Sequence, residues 1–374
     1  MNKIVISGYY GFANAGDEAM LTSIVSALRG VEPEIDLTVI SGNPAETSAK
    51  HQVKSIYRFN FFKIYSAVKN ADMLLSGGGS LLQDVTSLRS LFYYLFIILM
   101  GKMAGKKVML YSHGIGPIRN ALARKLTRIV CGKADLITVR DKDSQSELLK
   151  MGLNGRNIIV TADSVLALPV ADKSIGQKIL TEAGVDIKRP VLGISVRPWT
   201  NDINCFKVIA SALKQFKKGH DAQIVLVPLQ YPADLKSCAS LAEFLKDEKD
   251  IYFLKSAYNT EEFLSLIGNF KLLLGMRLHA LVFAAVMKVP LLAVSYDPKV
   301  DAFVNTAGGV LAGSVDAIDC GRLLNVLETA WNNPPVVQNE RMQQLRCKAQ
   351  LNLDKTFALL RGENERSKPY AGND

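Results

Sequence analysis

Short apolar runs alternate with apolar positions at helical spacing along almost the whole chain, and this alternation predicts an α/β protein with parallel sheets. In the first half the strand-like runs fall at residues 3–7, 37–40, 73–76, 108–112, 136–139 and 158–161. In the second half they fall at 191–196, 223–228, 252–254, 272–274 and 291–294. Between the halves, residues 169–190 are polar except for one helical stretch and read as an inter-domain connection. The pattern predicts two Rossmann-like, doubly wound domains facing a cleft, spanning 1–170 and 171–335, with residues 336–374 as a C-terminal helix and tail. That helix is expected over 337–360, ending at Gly362, with a charged, disordered tail from Glu363 to Asp374.

The segment 275–300, GMRLHALVFAAVMKVPLLAVSYDPKV, carries the strongest chemical signal. A leucine-rich strand precedes it, Leu278, Leu281, Val282 and Ala285 recur at helical spacing, and Pro290 ends the helix before a second buried strand. Parallel strands joined by a helix put their carboxyl ends on one edge, where open α/β sheets bind ligands. Arg277 and His279 then follow one strand, and Ser295, Tyr296, Asp297 and Lys299 follow the next. Taken singly, Arg277 pairing with a carboxylate, His279 as a satisfied helix-end histidine and a solvated Lys299 are the plainer readings. Together with the N–H groups opening the helix, they describe a site for a small, strongly anionic substrate.

Three glycine-rich segments follow strands in the first half: 8–18 with Asn14, Asp17 and Glu18, 77–84 with Gly78 and Asp84, and 113–119 with Arg119. All three are expected as loops at strand carboxyl ends. The spacing is neither the dinucleotide G-x-G-x-x-G nor a Walker loop, and no G-x-S-x-G elbow is present. Asp17 and Glu18 read as first-turn helix acids or as groups that hold sugar hydroxyls. Asp141 and Asp143 read as capping charges.

With 374 residues, 48% hydrophobic and 21% charged, the composition is that of a globular chain with room for two cores. A net charge of +10 points to acidic partners, but no RRM, helix-turn-helix or aromatic-basic interleaving supports nucleic acid. Five scattered cysteines lack metal or disulfide spacing, which fits a reducing cytosol, and no signal peptide is visible. Residues 91–100, LFYYLFIILM, are too short to span a bilayer and read as a buried helix. The alternative is a monotopic patch flanked by Arg89, Lys102, Lys106 and Lys107.

GFANAGDEAM, GGGSLLQD, SHGIGP, VRDKDSQSELLKMG, TADSVLAL and GMRLHALVFAA with SYDPKV, taken in this order, resemble the polysaccharide pyruvyltransferase family, and its CsaB-type, cell-wall members in particular. The resemblance implies a GT-B-like fold. It implies transfer of pyruvate from phosphoenolpyruvate to the 4,6-hydroxyls of N-acetylmannosamine in a lipid-diphosphate-linked ManNAc-GlcNAc precursor of secondary cell-wall polysaccharide, for S-layer anchoring through SLH domains. It implies no cofactor and no metal, with phosphoenolpyruvate as co-substrate, and a cytoplasmic enzyme whose peripheral membrane contact and homo-oligomeric state stay open. His279 is the expected acid/base, Arg277 and Arg119 the carboxylate and phosphate grips, and Lys299 the cation at the leaving phosphate. The runner-up reading is a GT-B glycosyltransferase using a nucleotide sugar.

Overall fold

A computed structural model describes residues 1–85, 87–199, 202–335 and 339–363. The expected tail from residue 364, and residues 337–338 of the expected last helix, lie outside the described residues. The chain divides into two compact units. One comprises Met1–Gly11, Met20–Ala167 and the described residues from Arg346 on; the other comprises Phe12–Ala19 and the described part of Leu168–Leu345.

The first unit holds an eight-stranded sheet: β1 (Lys3–Ser7), β2 (Asp36–Ser41), β3 (Lys54–Tyr57), β4 (Met73–Ser76), β5 (Gly79–Leu82), β6 (Lys107–Ile115), β7 (Leu136–Val139) and β8 (Ile158–Val160). Their order is β3-β2-β1-β4-β6-β7-β8, with β5 added beside the end of β6, and every pairing is parallel. Side chains alternate across a strand, so successive residues feed different cores. Leu74 packs with the helices Leu88–Met103 and Ala121–Cys131 on one face. Met73 and Leu75 pack on the other with Ile24, Leu28, Leu353 and Phe357. The C-terminal helix Asn339–Arg361, read from the sequence as a separate piece, thus supplies part of this core, and its buried Asn352 accepts a 2.9 Å hydrogen bond from Thr161.

The second unit holds β9 (Val191–Ser195), β10 (Gln223–Leu226), β11 (Ile251–Phe253), β12 (Leu272–Gly275), β13 (Leu291–Ser295) and β14 (Val310–Ser314). They lie in the order β11-β10-β9-β12-β13-β14, again all parallel. β9, β12 and β13 are buried along their whole length, which is why they appear as continuous apolar runs. The expected connection at 169–190 is built into this unit: its helix Lys173–Glu182 lies so close to the helix Thr260–Ile267 that a Cβ on Gly176 would overlap the Ser265 backbone.

Two glycine-rich segments expected as loops are in part sheet. Gly79–Leu82 forms β5, and β6 runs on through His113 to Ile115, pairing Gly79 with His113. Residues 91–100 lie in the helix Leu88–Met103, with Leu91, Tyr94, Leu95, Ile97, Ile98 and Met100 buried. Among the described residues no helix is long and apolar enough to cross a membrane.

Candidate active site

The second sheet reverses its winding between β9 and β12, and chain segments leaving neighbouring strands there bound the ligand crevice of a doubly wound fold. The junction is tight, with Gly275 opposite Ser195 and Met276 N–H donating to Ser195 O at 2.7 Å. Arg277 follows as the N-cap of the helix Leu278–Val286, so its side chain leaves the chain where that helix opens. His279 lies in the first turn.

Arg277 is held rather than free. Its Nε donates to Asp234 Oδ2 at 2.9 Å, its Nη2 to Asp234 Oδ1, and Nη2 also to Gln230 Oε1 at 2.8 Å. Asp234 is completely buried, and its Oδ2 further accepts from the backbone N–H of Leu229 (3.1 Å) and Gln230 (3.0 Å). A buried carboxylate is tolerable with a forked guanidinium partner and satisfied lone pairs, and removing one member of such a pair costs about 3–5 kcal/mol. The pairing also means that Arg277 and Asp234 largely cancel as charges.

The turn fixed by Asp234 is the docking edge for the first glycine-rich loop. Asn14 bridges to Gln230 in antiparallel fashion, Ala15 N–H donates to Leu229 O at 2.8 Å, and Tyr231 N–H donates to Ala13 O at 3.0 Å. Asn14 caps the helix Ala15–Val31, its Oδ1 accepting from Gly16 N–H at 3.1 Å. Gly16 is thereby set against His279 so closely that a Cβ would overlap the imidazole at Nδ1 and Cγ. On its other side the ring approaches Phe283, with centroids 6.5 Å apart. Asp17 and Glu18, in the first turn of the same helix, therefore belong with the second unit, although the sequence reading placed them with the first; Glu18 is buried.

β13 delivers the remaining residues. Asp297 is the N-cap of the helix Pro298–Ala307, and its Oδ1 accepts from Lys299 N–H at 2.9 Å. Buried Ser295 donates its hydroxyl to Asp297 O at 3.3 Å. Tyr296 is a platform for a cation: the Arg197 guanidinium sits 4.2 Å over its ring, and Trp199 packs against it at 5.2 Å while donating Nε1–H to Asp316 at 3.3 Å. Ser195 Oγ, buried at the end of β9, has no hydrogen-bond partner among the described residues.

Three predicted residues lie in the first unit. Gly78 is buried between β4 and β5 with Met20 Sδ and the Tyr111 and Ser112 carbonyls around it. Asp84 Oδ2 accepts from the backbone N–H groups of Arg119 and Asn120, both at 2.7 Å, and so shapes the loop before the helix Ala121–Cys131. Arg119 is exposed. His113, adjoining that loop, is fully buried with Nε2 3.1 Å from both Ser76 Oγ and Ser76 O; burial holds its pKa down at about 4. Asp141 caps the helix Lys142–Lys150, as its position suggested.

The sequence reading missed Asp234, Gln230 and Arg197. Asp234 lies in QYPADLK, where proline and a first-turn acid announce only a helix start, and nothing local marks its burial. Arg197, two residues beyond a wholly buried strand, carried the same signal as Arg277 and was there to be found. Among the described residues no three His, Cys, Asp or Glu side chains gather as a metal-ligand set.

The chain shares its fold with solved sugar-nucleotide enzymes. It is 14% identical to Staphylococcus aureus MnaA, solved with UDP, covering 96% of both chains at a TM-score of 0.68. It is 13% identical to a putative UDP-N-acetylglucosamine 2-epimerase from Listeria monocytogenes (98% of this chain, 97% of that one, TM-score 0.69). It is 14% identical to the UDP-GlcNAc 2-epimerase of Methanocaldococcus jannaschii (96% and 100%, TM-score 0.69). Such identities show a common GT-B-like fold and no more. No curated protein matches the chain in sequence. The polysaccharide pyruvyl transferase family model matches residues 14–298, from the Asn14 cap to the start of the helix that bears Lys299, and the chain belongs to that family.

Proposed function

We propose that this pyruvyltransferase takes phosphoenolpyruvate as donor and forms a 4,6-ketal on N-acetylmannosamine in a lipid-diphosphate-linked cell-wall precursor, as CsaB-type enzymes do for S-layer anchoring. One observation carries the reading: Asp234 and Gly16 hold Arg277 and His279 in place at the carboxyl edge of β12, where the N–H groups of a helix N-terminus add positive potential.

Because Asp234 neutralises Arg277, net positive charge for a triply anionic donor comes from Arg197 and the N-termini of the helices Leu278–Val286 and Pro298–Ala307, and Lys299 lies toward the leaving phosphate. Arg277 then orients through its fixed fork. His279 donates a proton to the methylene carbon, giving a cationic centre at C2. One sugar hydroxyl adds there, phosphate departs, and the second hydroxyl closes the ketal. Of the two hydroxyl protons, one replaces the proton that His279 gave to carbon and the other leaves on phosphate, so the imidazole ends as it began. Asp17 or Glu18 orients the hydroxyls, and Ser195, Ser295 and Tyr296 line the donor.

Incubation with phosphoenolpyruvate and a synthetic lipid-diphosphate ManNAc-GlcNAc tests this. A product heavier by one ketal pyruvate, with equimolar phosphate, is the expected result; no mass change on that acceptor sinks the acceptor assignment. A nucleotide-sugar enzyme is the second reading, favoured by neighbours solved with UDP. Thermal protection by UDP- or CMP-sugars but not by phosphoenolpyruvate would select it.

A further inference from the structure

The first unit carries a surface that a freely dissolved protein has no use for. The turn after β3 and the helix Phe61–Lys69 expose Tyr57 (49%), Phe59 (55%), Phe62 (92%) and Tyr65 (43%). These are not scattered residues. Phe59 meets Tyr93 at 6.0 Å, and Phe61 meets Phe96 at 5.5 Å, so the aromatic layer continues onto the helix Leu88–Met103. That helix turns an apolar stripe outward, Leu88, Phe92, Phe96, Leu99 and Met103, at the spacing where a soluble surface helix carries polar side chains. The helix Ala121–Cys131 packs beside it and exposes Leu122 and Ile129. A contiguous exposed apolar layer of this kind marks an interaction surface.

Charge identifies what covers it. No aspartate or glutamate occurs between Glu46 and Asp72, or between Asp84 and Asp135, and the second stretch holds nine lysines and arginines. Carboxylates at the margins engage Lys54, Lys102 and Arg124. Lys63, Lys69, Arg89, Lys125 and Arg128 form no ion pair among the described residues. Arg58 stacks over Phe59 (4.8 Å) and Tyr93 (4.5 Å), which sets a cation in the aromatic layer itself. Aromatic and aliphatic side chains edged by uncompensated cations suit the interface of a bilayer bearing anionic headgroups. A second copy of the same face would bring cation against cation.

We propose that this face, formed by the turn after β3 and the helices Phe61–Lys69, Leu88–Met103 and Ala121–Cys131, docks the protein on an anionic membrane surface. Phe62 and Phe96 enter the headgroup boundary, and Lys63, Lys125 and Arg128 meet lipid phosphates. The inference goes beyond the catalytic reading and needs no part of it. It takes in the outward side chains of the patch expected at residues 91–100, Phe92, Phe96 and Leu99, and extends it onto two neighbouring helices, while Leu91, Tyr94, Leu95, Ile97, Ile98 and Met100 are core.

Flotation of the full chain with vesicles, without phosphoenolpyruvate or acceptor, tests it. Binding to phosphatidylcholine/phosphatidylglycerol vesicles, weak binding to phosphatidylcholine alone and release by salt are expected. Lys63→Gln should lower partitioning about fivefold, and Phe62→Ser about tenfold. Neither should move the thermal unfolding curve appreciably, since both side chains are exposed. Equal binding to neutral and anionic vesicles overturns the electrostatic half of the proposal. No vesicle binding overturns it outright, and self-association abolished by Phe62→Ser would then assign the face to a second copy.

Discussion

Both sheets reverse their winding at a corresponding place, between β1 and β4 in the first unit and between β9 and β12 in the second, yet the two positions are filled differently. In the first, the buried Tyr10 ring occupies the space at the strand ends so completely that a Cβ on Gly8 or Gly77 would overlap it. In the second, the same place carries Ser195, Arg197 and Arg277 with the buried Asp234 behind them. Topology therefore names two candidate crevices, and side chains decide between them: an aromatic plug in one, a braced polar constellation in the other.

The largest effect should come from the residues assigned to chemistry. His279→Ala and Lys299→Ala are each expected to abolish pyruvate transfer while leaving thermal unfolding nearly unchanged, as measured by phosphate release and calorimetry. Retained turnover in either would remove that residue from the mechanism and weaken the contrast between the two crevices. Asp234→Ala comes next. It strips Arg277 and two backbone N–H groups of their acceptor, so urea unfolding should show a loss of about 3–5 kcal/mol together with lost activity. A cost within the range of a surface substitution would mean that the Asp234 fork does not hold the site.

The first unit offers a contrasting measurement, because its fully buried histidine, His113, is structural. Burial holds His113 at a pKa of about 4, with the Ser76 hydrogen bond opposing and Arg140 adding to the shift. In the unfolded chain the ring titrates near 6.5. The unfolded state therefore takes up the proton first, and stability present above about pH 6.5 declines as pH falls toward 4, by about 3 kcal/mol in all. His113→Asn should flatten the urea-midpoint profile across that window. An unchanged slope would assign the loss to other groups; Asp250 and Glu32, whose pKa values are lowered by hydrogen bonds from Arg189 and Asn2, act only below the usual carboxylate range.

What the sequence discloses follows from how local each feature is. β4, β9, β12 and β13 are buried on both faces and show as unbroken apolar runs. β3 and β14 are half-exposed edge strands, and β5 begins with a glycine and pairs irregularly, so none of the three leaves such a run. Arg277, His279 and Lys299 are legible because each follows a recognisable strand within a few residues. Asp234 is not, because its meaning lies in a partner 43 residues away. The docking of Asn14 and Gly16 on Gln230 and His279 is more distant still, and no spacing rule reaches it.

That contact also gives the finest test of the comparison, since each crevice contains a glycine pressed against a ring. Gly16→Ala would drive a methyl group into His279 at Nδ1 and Cγ, near the root of the side chain, where swinging the ring tip aside gives no relief. The imidazole must shift, and a displacement of about 1 Å at a reacting group lowers turnover about a hundredfold. Gly77→Ala would press equally on the Tyr10 hydroxyl, but that ring only fills space, so its cost should appear in the unfolding midpoint and leave the turnover of the folded fraction intact. Steady-state kinetics of both variants, corrected for folded fraction, separate the two crevices. If Gly77→Ala slowed turnover as much as Gly16→Ala, the Tyr10 plug would belong to the working site, and the division drawn between the two sheets would fail.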